Sequence, residues 1–161
     1  MKKLLLIFVL FLSLLACEKD DICIDPITPN LIIRLYDVAD GTTIKSVANL
    51  QIKNIDQDSI FNNNITSADS ITIPLNINQD STTYVFTINT DDVALTNSDT
   101  LKISYTREAV FVSRSCGFKT IFKNVSLSLT TDNDNWIKSA LFIEDTNTIE
   151  NETKAHVKIL H

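Results

Sequence analysis

Few side chains in this sequence could serve catalysis. His156 and His161 are the only imidazoles, and we expect His156 to face solvent beside Lys158 on a strand, so a Ser–His–Asp triad is not favoured. The acidic pairs Asp20-Asp21 and Asp91-Asp92 are chain neighbours that would point apart on a strand, which suits a glycosidase poorly. The sequence also contains no GxSxG, no HExxH and no glycine-rich phosphate loop. We therefore predict a protein that is not an enzyme and has no catalytic residues.

One polar stretch is similar to a calcium-binding loop. Residues 132–135 read Asp-Asn-Asp-Asn, with oxygen ligands at alternate positions. Trp136 stands where an EF-hand needs the next oxygen ligand, and the required glycine is missing. We interpret the stretch as a turn between strands and predict no metal and no cofactor.

The first sixteen residues have the pattern of a secretory signal. Lys2 and Lys3 precede an apolar run that is too short to cross a bilayer as a helix. The run ends in Leu14-Leu15-Ala16-Cys17, which resembles the bacterial lipobox. That resemblance implies removal of residues 1–16 and attachment of a diacylglyceryl group to Cys17, followed by acylation with a fatty acid such as palmitate. The alternative is an ordinary cleaved signal with an incidental thiol at Cys17.

The residues after Cys17 resemble a surface-export signal. Glu18 is followed by Lys19, Asp20 and Asp21, and a lysine with two acidic residues near the modified cysteine is typical of Bacteroidota-type surface lipoproteins. The resemblance implies a lipid-anchored outer-membrane protein exposed at the cell surface. An acidic tether on a protein that faces the periplasm is the alternative.

The charge of the chain limits its partners. The formal net charge is −6, and removal of Lys2 and Lys3 would make it about −8. Nucleic acids are bound through clustered Lys and Arg, which this chain lacks, so we predict no nucleic-acid partner. We expect a monomer, held at the membrane by its N-terminal lipid.

If Cys17 is acylated, two cysteines remain in a compartment where disulfides persist. Cys23 and Cys116 would then form one bridge. A reactive or metal-binding thiol is the alternative, but the sequence has no CxxC and only two distant histidines.

From Asn30 onward the chain reads as short strands with one apolar face. Leu31, Ile33 and Leu35 alternate with Ile32, Arg34 and Tyr36, and no stretch keeps a helical period. The pattern predicts an all-β fold: a single antiparallel β-sandwich, immunoglobulin-like or transthyretin-like, over residues 30–161 after a tether at 17–29. The predicted strands include residues 31–36, 70–75, 83–88, 100–105, 110–113, 119–123, 125–129, 137–143 and 155–160.

Polar clusters between these runs predict the turns. They include residues 62–64, 76–81 and 131–135. The chain has two glycines and fifteen asparagines, so we expect asparagine to occupy backbone positions of positive φ. Pro74 inside an otherwise alternating run predicts an edge strand or a bulge there.

Over nearly its full length the chain resembles a family of small uncharacterised Bacteroidota-type lipoproteins. Residues 23–29 (CIDPITP) with 31–37, and 111–122 (FVSRSCGFKTIF), carry the resemblance. It implies that Cys23 pairs with Cys116 and that Gly117 has a structural role beside the bridge. It implies no activity.

Four sites match the Bacteroidota-type O-glycosylation pattern of Asp, then Ser or Thr, then a small or aliphatic residue. The alternative is that Asp-Ser and Asp-Thr simply begin strands. The candidate acceptors are Ser59, Ser70, Ser81 and Thr100.

Together these features predict a non-catalytic binding or accessory module of the cell envelope. A protein partner would need an exposed apolar patch, for which Tyr36 and Phe111 are candidates. A glycan partner would need an exposed ring, and Trp136 beside Asp134 and Asn135 is the candidate. A structural lipoprotein without a ligand and a carboxylate-dependent glycan hydrolase are the alternatives.

Overall fold

The computed structural model of the protein describes residues 22–24, 28–57, 59–144 and 147–161. All regular elements in these residues are strands, and no helix among them is long and apolar enough to cross a membrane. The strands are β1 (Leu31–Tyr36), β2 (Val47–Asn54), β3 (Ser59–Ala68), β4 (Ser70–Ile73), β5 (Ser81–Ile88), β6 (Asn97–Ser113), β7 (Gly117–Leu129), β8 (Ser139–Phe142) and β9 (Val157–Leu160).

The strands form two sheets, which confirms the predicted all-β sandwich. The four-stranded sheet has the order β4-β1-β9-β8, and the five-stranded sheet has the order β3-β2-β5-β6-β7. The difference from a purely antiparallel sandwich is that β1 and β9 pair in parallel. Parallel neighbours need a long connection, and here most of the domain lies between them.

The core fills the space between the two sheets. Leu31, Ile33 and Leu35 of β1 are fully buried, as are Tyr84 and Phe86 of β5. Each large apolar side chain that is fully buried contributes about 1.5–3 kcal/mol relative to an exposed one. Period-two burial in β1, β4 and β5 thus confirms the alternation read from the sequence.

The two longest strands each join two predicted ones. Residues 100–105 and 110–113 belong to β6, and residues 119–123 and 125–129 belong to β7. The β6–β7 register shifts between Ser104 and Thr106, opposite Asn124, whose φ is 51°. A bulge therefore continues the strand where the sequence pattern suggested a break.

The predicted turn at residues 62–64 is wrong. These asparagines lie inside β3, which pairs with β2 along its length, with register shifts between Leu50 and Lys53. Neither β2 nor β3 was among the predicted strands. Cross-strand pairing here outweighs the turn preference of asparagine.

Asparagine does occupy the backbone positions that usually need glycine. Among the described residues, the non-glycine residues with positive φ are Asn49, Asn89 and Asn124. Pro74 directly follows β4, which is an edge strand, as predicted.

Candidate functional site

The end of the β6–β7 hairpin is joined to the N-terminal segment by a disulfide. Cys23 and Cys116 are the bonded pair, with their Cα atoms 4.8 Å apart. Gly117 follows with a φ of 70°, and a Cβ placed there would meet nothing within 4 Å. The glycine is therefore needed for its backbone angle and not for close packing.

Further contacts hold the N-terminal segment against the domain. The backbone N–H of Thr120 in β7 donates to Thr28 Oγ1 at 2.9 Å. Glu152 Oε1 accepts from the backbone N–H of Asn30 at 2.7 Å and from its side-chain amide at 2.9 Å. The chain therefore enters the sandwich beside the β6–β7 hairpin.

An exposed apolar cluster surrounds the disulfide. Phe111 and Phe118 lie opposite each other in the hairpin, with ring centroids 5.4 Å apart and the rings edge to face. Phe111 is 58% exposed and Phe118 69% exposed. Ile22 and Ile24, on either side of Cys23, are 81% and 90% exposed. We call these four side chains and the linked turn (residues 114–116) the hairpin tip.

The outer face of the four-stranded sheet carries an unusual pair of cations. Arg34 of β1 and Lys158 of β9 are register partners, and their inward-facing neighbours are buried. Within the described part of the chain, neither cation has an acidic partner. Like charges opposite each other destabilise a sheet, so this pair has a cost in the free protein.

Arg34 lies in the wall of a shallow depression in this face, and its register partner Lys158 lies beside it. The depression has a volume of about 370 Å³, and Tyr36 is also in its wall, half-buried like Arg34. We call it the outer-face depression. Other lining residues include Ile32, Ser70, Ile143 and Lys154, and two acidic residues: Glu144, which pairs with Lys154, and Glu152, which accepts from Asn30.

His156 lies on the same face as Lys158, as predicted, but it is half-buried and hydrogen-bonded to backbone groups and does not face solvent freely. Its Nδ1 accepts from the Ile32 N–H at 3.0 Å, and its Nε2–H donates to the Asn151 carbonyl at 2.8 Å. Burial lowers the pKa of His156, partly opposed by the Asn151 hydrogen bond and nearby glutamates. Both ring nitrogens are therefore engaged in hydrogen bonds to the backbone.

A smaller cavity of about 130 Å³ lies beside His156. Glu144 in its wall pairs with Lys154 at 2.9 Å, and Glu150 is also in the wall. In the ranges that the structure describes, no three His, Cys, Asp or Glu side chains are grouped as metal ligands.

The loop that resembled a calcium site is closed on itself. Asn135 Oδ1 accepts from the Asp132 N–H at 2.7 Å, and Asn135 Nδ2 donates to Asp99 Oδ1 at 2.8 Å. Trp136 is only 7% exposed and donates from Nε1 to the Phe86 carbonyl at 3.0 Å. Its ring cannot form an exposed glycan platform, so that expectation is wrong.

The other predicted sites are scattered. Cys17, Lys19, Asp20 and Asp21 lie outside the described residues. Ser59, Ser70 and Ser81 are the first residues of β3, β4 and β5, and Thr100 lies within β6.

Sequence reasoning missed the Arg34–Lys158 pair and the buried carboxylate of Asp99. Alternation places Arg34 on the polar face of its strand, but only the register of a distant strand places Lys158 opposite it.

Residues 49–161 match DUF6452, which is described as a family of unknown function. The chain belongs to this family. No curated protein and no solved structure matches the chain. The DUF6452 match runs from within β2 to the end of β9 and includes Cys116 and Lys158, whereas Cys23 and Arg34 precede it.

Proposed function

We propose that this protein is a non-catalytic, lipid-anchored binding module of the bacterial cell envelope. Cys17 carries the lipid, residues 1–16 are removed, and Lys19, Asp20 and Asp21 direct the protein to the outer face of the outer membrane. The Cys23–Cys116 disulfide supports export, because such bonds persist in oxidising compartments. It also joins the domain to the chain six residues after the lipidated cysteine.

The binding surface is the Arg34–Lys158 pair on the outer face, where Arg34 borders the outer-face depression, and its ligand is an acidic segment of an envelope protein. The observation that carries this proposal is the opposition of Arg34 and Lys158 without an acidic partner among the described residues. An incoming carboxylate would relieve the repulsion and form charge-assisted hydrogen bonds with both cations. Tyr36 beside them provides aromatic area and a hydroxyl.

The absence of catalysis is part of the proposal. The engagement of both His156 nitrogens and the pairing of Glu144 with Lys154 support it, because each removes a possible acid or base. A broad hydrolase screen of the purified protein should show no turnover. Turnover that is lost on Glu150→Gln would contradict the proposal.

Binding is tested with a peptide of consecutive glutamates. The mature chain should bind it with an affinity that falls as salt rises. Arg34→Gln with Lys158→Gln should weaken binding about three- to tenfold. Lys102→Gln, an exposed lysine on the other sheet, is the matched control and should leave the affinity unchanged. Equal binding by all three proteins would overturn the assignment of the surface.

Anchoring and location are tested separately in cells. Labelled palmitate should enter the wild-type protein and not Cys17→Ser. An epitope-tagged wild type should be cleaved by protease added to intact cells, and the triple variant Lys19→Ala, Asp20→Ala, Asp21→Ala should be protected. Protection of both would place the protein on the periplasmic side.

A further inference from the structure

We infer that the hairpin tip docks in the headgroup region of the membrane that holds the lipid anchor. Phe111 and Phe118 are the interfacial side chains, and Ile22 and Ile24 add to them. The inference rests on the proposed lipidation of Cys17. It goes further by assigning a second membrane contact and an orientation to the domain.

The short segment between Cys17 and Cys23 keeps the hairpin tip close to the bilayer. Six residue steps separate Cys17 from Cys23, and a fully extended chain of that length spans at most about 20 Å. The disulfide then holds Cys23 beside Cys116. Without that bond, thirteen steps to Asn30 would allow the domain to move about 45 Å from the anchor. The bond therefore keeps the tip, and not another part of the domain, next to the lipid.

The chemistry of the tip suits a membrane interface. Its four apolar side chains are each more than half exposed. Aromatic and aliphatic side chains of this kind gain from partial burial among headgroups and the first acyl carbons. Between Ala109 and Phe122 the hairpin contains Arg114 and Lys119 and no acidic residue, in a chain whose formal charge is −6. Arg114 can contact lipid phosphates, whereas the Lys119 ammonium donates to the Glu150 carbonyl at 3.0 Å.

A second exposed apolar group lies at the other end of β6 and provides an internal control. Val93 and Leu95, in the loop before β6, are 94% and 63% exposed. β6 runs for seventeen residues from this loop to the tip, a distance of roughly 50 Å. If the tip docks, Leu95 is held far from the bilayer.

The experiment places a fluorescent reporter at each end of β6. The full lipidated protein is reconstituted into phosphatidylethanolamine–phosphatidylglycerol vesicles with brominated acyl chains, which quench indoles that reach them. In Phe118→Trp, the fluorescence of the introduced indole is the signal above that of the wild type. The brominated lipid should quench at least about half of this signal, because an interfacial ring lies next to the acyl carbons. Leu95→Trp should not be quenched. Trp136, which is buried, supplies the unquenched baseline.

A second set of variants tests whether the disulfide holds the hairpin tip at the membrane. In Phe118→Trp combined with Cys23→Ser and Cys116→Ser, quenching should fall to the level of Leu95→Trp, while thermal unfolding confirms that each variant is folded. The mass of the lipid on Cys17 is measured on every sample.

The outcomes separate this inference from the proposed function. No quenching of Phe118→Trp in lipidated protein, or equal quenching at both ends, overturns the docking and leaves the proposed function intact. Absence of lipid on Cys17 overturns both. A tip that covers another protein or a second copy of the chain would give the unquenched result.

Discussion

Asp99 Oδ2 accepts a 2.6 Å hydrogen bond from the backbone N–H of Ile137. The carboxylate is 1% exposed, and its other oxygen accepts from Asn135 at 2.8 Å. One side chain near the start of β6 therefore holds the connection between β7 and β8. Because this connection leads into β8, Asp99 helps to position the outer edge of the four-stranded sheet.

Replacement of Asp99 should destabilise the fold. Asp99→Ala leaves the buried N–H of Ile137 without an acceptor, and we expect a loss of roughly 1–3 kcal/mol in the free energy of unfolding. Chemical denaturation followed by fluorescence measures it. Asp91→Asn, at an exposed position, should change the value by less than about 0.5 kcal/mol. Equal effects of the two substitutions would show that the Asp99 contacts contribute nothing specific.

Lys158→Glu should stabilise the free protein and weaken ligand binding at least as much as Arg34→Gln with Lys158→Gln. The change replaces repulsion opposite Arg34 by attraction, and cross-strand pairs of this kind contribute roughly 0.2–1 kcal/mol. The free energy of unfolding measures the first effect, and glutamate-peptide binding the second. Lys102→Glu is the control for the charge change alone. A lower stability for Lys158→Glu than for this control would mean that Arg34 and Lys158 do not repel each other.

Loss of the disulfide should lower stability without unfolding the sandwich. The bond closes a loop across a sequence separation of 93 residues, and removal of such a bond costs about 2–4 kcal/mol. The double variant Cys23→Ser, Cys116→Ser should therefore melt at a lower temperature, and so should the wild type under reducing conditions. Cys17→Ser should melt like the wild type, since Cys17 is not part of the bond. Unchanged melting of the double variant would show that the bond does not constrain the unfolded chain.

Stability should fall as the pH drops below about 6.5, the unperturbed pKa of histidine. Burial lowers the pKa of His156 in the folded state, so the unfolded chain binds a proton more readily than the native protein does. The loss begins near the unfolded pKa and ends once the pH has passed below the folded one. Protonation of Nδ1 would also remove the acceptor of the Ile32 N–H.

The free energy of unfolding at several pH values between 5 and 8 tests this prediction. His156→Gln should be less stable than the wild type at pH 8, and the difference should shrink as the pH falls. Because His161 is present in both proteins, its titration cancels in the comparison. Parallel pH curves for the two proteins would show that His156 is not the group responsible.

Local patterns explain how much of the fold could be predicted. Leu31, Ile33 and Leu35 alternate with half-exposed residues, and this period is set within the strand itself. The edge position of β4, which ends just before Pro74, and the asparagines at positive φ also follow from the properties of single residues. The turn predicted at Asn62–Asn64 is wrong because the pairing of β3 with β2, which is not a local property, outweighs the turn preference of asparagine.

Some sites could likewise be predicted from the sequence, whereas others depend on contacts between distant residues. The pairing of Cys23 with Cys116 follows from the number of cysteines and the compartment that the lipobox resemblance implies. The burial of Trp136 does not follow from its polar neighbours, because its partner is the Phe86 carbonyl fifty residues away. The position of the His156 ring likewise could not be predicted locally, because its Nδ1 accepts from the backbone N–H of Ile32 in β1, at the other end of the domain sequence.

The sequence alone therefore determined that the chain forms short strands with one apolar face and asparagine-rich turns, and that it has two cysteines that can form a disulfide. These properties depend on residue type and near neighbours. Tertiary structure decided that β1 lies parallel to β9, that Arg34 faces Lys158, and that Phe111 and Phe118 meet beside the disulfide. Register between distant strands depends on how the whole core packs, and no local period encodes it.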